Sequence, residues 1–270
     1  MVEWLVAIVV GVVQGVLEWL PVSSEGAVAL ALTLLETDPA TATRFALFLH
    51  AGTALAATVY YRDVLADVLR TVPGWRPRSA FDGEHADLSF FAIATVVSGV
   101  VGISGYLVLS AIASAAAGGV FVAIIGALLL GTGLLMRAAD RLASELRTEP
   151  GLLDALLVGV LQGLAVLPGV SRSGTTVSAL LLRGHAGEDS LRLSFVLSIP
   201  AALGAGLLVV LDEGLPTVQP GPAVAALVVS GAVGYLAVDA LVRLVERVPF
   251  WQVCVGFGAL AVVGGGALLV

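Results

Sequence analysis

Residues 11–26 read GVVQGVLEWLPVSSEG, and residues 159–174 read GVLQGLAVLPGVSRSG. The two phrases align without a gap at an offset of 162 − 14 = 148, taken at their glutamines. This register pairs Gly11 with Gly159, Gly15 with Gly163, Ser23 with Ser171 and Gly26 with Gly174. It continues downstream, pairing Arg44 with Arg192 and Ala54-Leu55 with Ala202-Leu203. The reading is one membrane domain over 1–270, made of two related halves, about 1–147 and about 148–270. Each phrase starts as apolar helix and stops at a proline followed by Ser and Gly. Each half therefore carries a polar loop where lipid is expected, and the two loops are expected to meet.

Composition sets the solvent. The chain is 59% hydrophobic and 12% charged, with a mean hydropathy of +1.04, which marks a multi-span helical membrane protein. The net charge is −7, and every basic residue apart from histidine is Arg, a trait of GC-rich coding. Acidity argues against nucleic acid as a partner. The single cysteine, Cys254, rules out an intrachain disulfide and reads as a small buried hydrophobe. The first residues lack a basic region, and the apolar run after them holds Gln14 and Glu18, so no cleavable signal is expected.

Crossing ~30 Å of hydrocarbon takes roughly 20 helical residues. Runs at about 44–61, 88–110, 117–137, 192–211, 222–244 and 250–270 meet that length. Two regions do not. Trp4 to Leu20 stops at Pro21, and a second short piece runs from Gly26 to Leu35. Leu152 to Leu167 stops at Pro168-Gly169, and its second piece runs from Gly174 to Leu182. Such pairs are expected to dip in and return as re-entrant hairpins. Irregular backbone survives at that depth only where protein or a wet cavity satisfies it.

Arginine placement orients the chain. Arg62, Arg70, Arg76, Arg78, Arg137, Arg141, Arg147, Arg183, Arg192, Arg243 and Arg247 all fall on one side if the second hairpin re-enters. That side is then cytoplasmic. The loops near 111–116 and 212–221 carry no basic residue, and Arg44 is the one exception outside. Both termini are then external. Three spans separate the hairpins, so the halves are inverted and the hairpin tips reach the midplane from opposite sides. The hydrophilic segment 62–87 reads as a cytoplasmic loop.

The polar residues at the two breaks carry the chemistry. Gln14 and Glu18 are four apart and share a helix face. A carboxylate in an apolar segment costs about 2.5–3.5 kcal/mol at mid-helix. Glu18 is therefore either an interfacial or arginine-paired structural acid, or a metal or phosphate-site acid with Gln14 as a neutral oxygen partner. Residues 21–26 pack Ser23, Ser24 and Glu25 at a helix break. Residues 170–174 set Ser171 and Ser173 around Arg172 before Gly174 opens a helix. Backbone N–H groups at a helix start beside an arginine fork suit a phosphate. Ser and Gly alone also serve helix packing. An arginine flanked by apolar helix needs an anionic partner, and Glu18 is the candidate. His50 falls inside a span and is expected to be a packed, hydrogen-bonded side chain, with a site-lining role as the other reading. His85 and His185 are expected to be solvated.

The pattern Gln14-xxx-Glu18, Pro21-Val-Ser-Ser-x-Gly26 and Pro168-Gly-Val-Ser-Arg-Ser-Gly174 resembles the undecaprenyl-diphosphate phosphatase family of the bacitracin-resistance type. Arg192-Leu-Ser-Phe, Ser198-Ile-Pro200 and Pro249-Phe250 extend the resemblance along the whole chain. It implies an all-α membrane fold of six transmembrane helices and two re-entrant hairpins in an inverted repeat. It implies a hydrolase of the plasma membrane that removes the terminal phosphate of a polyprenyl diphosphate and leaves the monophosphate carrier. It implies a divalent cation, Mg²⁺ or Ca²⁺, with Gln14 and Glu18 at the acidic motif. Ser24 matches the proposed nucleophile, Arg172 the phosphate-binding arginine, and Ser171, Ser173 and Thr176 its neighbouring hydroxyls. Three departures stand out. Bacterial members usually carry His after the glycine of the first motif, where this chain has Ala27. Glu25 replaces a small hydroxyl, either as a substitute base or as a cap for the helix beginning near Gly26. Val253-Cys254 stands where a Tyr-Arg pair is often seen.

The expected reaction is phosphoryl transfer between the hairpin tips, in a site open to the outer face. Arg172 and a cation on Glu18 clamp the phosphates, and Ser24 attacks phosphorus or orients water. Glu18 or Glu25 takes the proton. The prenyl tail stays among the lipid-facing spans, and a homo-oligomer is left open. The rival reading is a transporter, flippase or non-hydrolytic binder of polyprenyl phosphates, because inverted repeats with broken helices also build transporters.

Overall fold

The computed structural model describes residues 2–115, 118–142, 147–213, 220–245 and 247–268. Among these the chain is all helical apart from one isolated bridge between Arg147 and His185. The helices are α1 (Val2–Leu17), α2 (Ser24–Leu34), α3 (Pro39–Tyr60), α4 (Arg62–Arg70), α5 (Ala86–Ala115) and α6 (Gly118–Leu142). They continue as α7 (Leu152–Leu164), α8 (Arg172–Leu182), α9 (Gly187–Glu213), α10 (Pro220–Val245) and α11 (Phe250–Ala267). Six of them, α3, α5, α6, α9, α10 and α11, are long and apolar enough to cross a membrane. They match the six expected spans, mostly with longer ends. The loop expected near 111–116 is helical as far as Ala115, where α5 ends; residues 214–219 of the loop expected near 212–221, and residues 143–146 before the boundary near 147, lie outside the described residues.

The expected breaks are real, with shifted edges. The first helix ends at Leu17 and the seventh at Leu164, each three residues before the expected Leu20 and Leu167. Turns take over because Pro21 and Pro168 offer no N–H to continue the ladder. The second pieces start earlier than expected, at Ser24 and Arg172. The segment 62–87 is not a plain loop. It holds α4 and three short 3₁₀ turns, and the Trp75 indole donates to Ser89 Oγ at 2.9 Å.

Burial sorts the long helices. The third and ninth form the centre and pack on each other, and α3 is the most buried of the six. The outward faces of α5, α10 and α11 expose Leu107, Leu236 and Leu260, as lipid-facing surfaces do.

The short helices pack by close backbone approach. The first lies on α10 and the seventh on α5. A Cβ at Gly11 would sit 2.6 Å from the Ala226 carbonyl oxygen, and one at Gly15 2.7 Å from that of Ser230. Gly159 and Gly163 do the same on α5, where a Cβ would come within 2.9 Å of the Ala94 and Ser98 carbonyl oxygens. Small residues at such spacing are how membrane helices gain packing without a hydrophobic drive. The receiving helices are themselves alike. Residues 94–102 read ATVVSGVVG and residues 226–234 read ALVVSGAVG, at an offset of 226 − 94 = 132. The 148 − 132 = 16 residue difference in offset falls in the hydrophilic stretch before α5.

A buried ionic cluster ties down the start of α7. Asp154 is fully buried. It accepts from the Gly151 N–H at 2.8 Å and from Arg183 Nε at 2.6 Å, and His185 Nε2 lies 3.3 Å away. His185 is buried rather than solvated as expected. Its partner lies 31 residues back in the chain, out of reach of a local reading.

Candidate functional site

Two helix starts face each other at the breaks. Ser23 caps α2, with its Oγ accepting from the Gly26 N–H at 3.2 Å. Ser171 caps α8 in the same way, accepting from the Gly174 N–H at 3.2 Å. Both roles follow from the short hydroxyl competing well for orphan N–H groups. Ser23 adopts φ 62°, and its Oγ also accepts from the Gly169 N–H at 3.1 Å. Ser173 Oγ donates to the Leu20 carbonyl at 3.4 Å. The two polar loops therefore meet, as the repeated phrase suggested. Cys254 supports the first break from behind, its Sγ donating to the Pro21 carbonyl at 3.0 Å. It is buried, as expected.

Glu18 is the hub. Its Oε1 accepts from Arg172 NH2 at 2.5 Å, the anionic partner that the arginine required. Its Oε2 accepts from Gln14 Nε2 at 3.0 Å and from Ser24 Oγ at 2.8 Å. His50 Nε2 stands 3.3 Å from the same oxygen. A carbonyl only accepts, so His50 Nδ1, 2.8 Å from the Ala46 oxygen, carries a hydrogen. The second ring nitrogen is thereby left facing Glu18. His50 is thus both packed and part of the site. Its histidine in mid-span was the available signal, but a helix face cannot be assigned a destination from sequence alone.

Arg172 is held from below. Its guanidinium carbon lies 5.3 Å over the Phe195 ring, and Phe195 meets Trp19 edge-on at 5.2 Å. With NH2 spent on Glu18, NH1 is buried and has no hydrogen-bond partner. Glu25 Oε1 is likewise buried and unpartnered. The site thus offers one free strong donor and one free strong acceptor.

Two cavities share this centre. The smaller, about 20 Å³, is lined by Ser23, Ser24, Glu25, Ser171, Arg172 and Ser173 together with Glu18 and His50. The larger, about 310 Å³, runs from Glu18, Glu25, His50 and Arg172 between α5, α7 and α9. Its walls are Gly99, Gly102, Gly204 and aliphatic side chains, with a polar patch at Thr95, Ser98, Gln162 and Ser198. A polar head and an apolar groove are therefore continuous.

Three candidate residues stand back from the two cavities. Gln14 is fully buried and lines neither, and its amide nitrogen is turned to Glu18. Thr176 is also fully buried, with its hydroxyl between the Arg172 carbonyl at 2.8 Å and Ser194 Oγ at 2.6 Å. Gly174 is buried at the Ser171 cap and lines neither of the two. Among the described residues no group of three His, Cys, Asp or Glu side chains is arranged to hold a metal by itself.

Comparison with known proteins places these features. The model of the family described as bacitracin resistance protein BacA matches residues 7–262. An undecaprenyl-diphosphatase of Haloarcula marismortui is 61% identical over 262 residues, covering 97% of each chain. Proteins of the same name from Methanopyrus kandleri and Methanococcoides burtonii are 41% and 38% identical. They cover 96% and 95% of this chain, and 95% and 96% of their own.

Proposed function

Because the chain belongs to the bacitracin resistance protein BacA family, we propose that it is a multi-pass membrane phosphatase that hydrolyses undecaprenyl diphosphate to the monophosphate. The observation that carries this reading is the buried, unpartnered Arg172 NH1, beside a serine hydroxyl already hydrogen-bonded to a carboxylate. A guanidinium nitrogen without a partner, on a side chain that lines a polar cavity, calls for an anion with more than one acceptor oxygen.

The chemistry follows from the contacts. The diphosphate enters the polar centre, and the prenyl chain lies along the larger cavity between α5 and α9. Arg172 takes a terminal phosphate oxygen through NH1. The helix starts at Ser24 and Arg172 add the positive ends of α2 and α8. Ser24 Oγ attacks the terminal phosphorus, or orients the water that does. In the first route the Ser24 proton passes to Glu18 Oε2, which already accepts it in a hydrogen bond; the bridging P–O bond breaks to release the prenyl monophosphate, and water then cleaves the phosphoserine. In the second route the water's proton is relayed through the Ser24 hydroxyl to the same oxygen as the bridging P–O bond breaks. Gln14 holds that carboxylate in place. The donors around the centre are oxygens, which suits Mg²⁺ or Ca²⁺. Glu18 would hold the ion, which supplies charge neutralisation for the phosphates.

The same reading extends to topology. The pairs α1–α2 and α7–α8 are re-entrant hairpins of an inverted repeat, and the site opens to the outer face. The matching partners of the short helices, α1 on α10 and α7 on α5, support it. So does the recurrence of ATVVSGVVG as ALVVSGAVG in those partners. A flippase shares such a frame, but it has no need of a serine hydroxyl aimed at a buried carboxylate. The test is phosphate release by the purified protein in detergent across prenyl diphosphates of several lengths. Transport cannot be registered there, so tight binding without release would overturn the hydrolase reading.

A further inference from the structure

Glu25 sits in the first turn of α2 and is 4% exposed. Its Oε1 has no hydrogen-bond donor, yet the side chain lines both cavities beside Glu18 and Arg172. A carboxylate so buried is stable only with a cation or a proton. The partial positive charge at the start of α2 offsets part of this and leaves the oxygen uncoordinated.

Charge at the centre points to the cation. Glu18 is matched by Arg172 at 2.5 Å and faces His50 at 3.3 Å, whereas Glu25 Oε1 has no such partner. A diphosphate entering that cluster adds more negative charge within a few ångströms of Glu25. A neutral Glu25 would leave the incoming charge to Arg172, the neighbouring His50 and the two helix starts. A divalent ion on Glu25 would balance both its carboxylate and the incoming charge. Gln14 Oε1 is also buried without a partner, but it is less well placed. Its amide nitrogen must face the Glu18 carboxylate, and the side chain lines neither cavity.

We propose that Glu25 is the second carboxylate of a divalent-cation site that this chain builds with Glu18, at the point where its two cavities join. The nature of the ion rests on the phosphatase reading above; the site itself rests on the orphan oxygen and the shared lining. Carboxylate oxygens and the neighbouring serine hydroxyl form a hard donor set, suited to Mg²⁺, Ca²⁺ or the probe ion Mn²⁺.

The experiment is Mn²⁺ binding to the purified full chain in detergent, read by the free-ion electron paramagnetic resonance signal. The rise in Tm with added Mn²⁺ is measured alongside. Wild type is expected to bind one ion and to gain stability from it by mass action. Glu25→Gln is expected to weaken binding at least 30-fold and to lose the Mn²⁺-dependent rise in Tm. Glu25→Asp, which keeps a shorter carboxylate, is expected to fall between the two and serves if the glutamine variant does not fold. Wild type without bound Mn²⁺, or Glu25→Gln within threefold of it, overturns the proposal. Phosphate release is measured on the same samples. Glu25-dependent binding without turnover would sink the phosphatase reading and leave the cation site standing; turnover without it would do the reverse.

Discussion

Replacing Arg172 by lysine keeps one positive charge and removes the fork. In the structure the guanidinium does two things with two nitrogens. NH2 holds Glu18 at 2.5 Å, while NH1 is buried and free. An ammonium has one nitrogen, and Glu18 Oε1 will claim it. The terminal phosphate then loses its donor at the position where charge develops. Losing one preorganised donor of this kind costs about 10²–10³ in kcat, or about 2.7–4 kcal/mol of transition-state stabilisation. The ion pair survives in lysine form, so the fold should too. Loss of the stacking over Phe195 costs about 0.5–2 kcal/mol.

The expected result for Arg172→Lys is therefore a kcat lowered about 100- to 1,000-fold. KM should change far less, because a contact used mainly in the transition state appears in kcat. The assay is phosphate release in detergent, with size-exclusion profile and Tm as controls for folding. A kcat within threefold of wild type would show that the free NH1 does not meet the reacting phosphate. A collapse of Tm together with kcat would show that the arginine serves the ion pair and not the substrate.

Ser24→Ala removes the hydroxyl bonded to Glu18; turnover should fall by about 10²-fold or more at unchanged Tm, and an active alanine variant would rule out both roles given to Ser24. For topology, a cysteine placed at Arg76 in a Cys254→Ala background should be labelled only after the membrane is permeabilised, and labelling in intact cells would refute the orientation. Gly163→Leu should destabilise by at least ~1–3 kcal/mol, since even its Cβ would sit 2.6 Å from Val101 Cβ. Gly131→Leu, which meets nothing within 4 Å, is the control; equal losses of Tm would show that the α5–α7 approach is not what matters.

The parts of the site that could be read from sequence are those held together by the chain itself. Gln14, Glu18, Ser23, Ser24 and Glu25 lie within twelve residues, and Ser171, Arg172 and Ser173 are adjacent. Proline and glycine mark where each helix must stop, so the two breaks were visible even though turns began three residues early. A buried arginine demands an anion on physical grounds alone, which was enough to name Glu18. The similarity of α5 and α10 was hidden because a sixteen-residue difference in the hydrophilic stretch breaks the 148-residue register before it reaches them. His50 was half read. Its burial follows from its span, but its approach to Glu18 depends on how α3 turns against α1, which no local pattern encodes. His185 was misread for the same reason, since Asp154 and His185 meet only after α7 and α8 fold back on each other.

The site divides between the halves in a way that explains its cost. Glu18 and Ser24 come from the first half, Arg172 from the second, and the Ser23 hydroxyl joins the breaks through Gly169. Within its own half Glu18 faces His50 at 3.3 Å, whereas the permanent positive charge of Arg172 comes from the other half. An unpaired carboxylate or guanidinium buried in protein is expensive, and bringing Glu18 and Arg172 together removes that penalty for both at once. A buried ion pair adds little net stability over apolar packing of the same volume. Stability alone is therefore a weak reason for this chain to keep one. What the pair provides that apolar packing cannot is a guanidinium aligned in advance, with one nitrogen committed and one free. Arg172 NH1 is that free nitrogen. The same argument applies with opposite sign to Glu25 Oε1, so the two unpartnered groups of one cavity call for a ligand that carries both an anion and a cation.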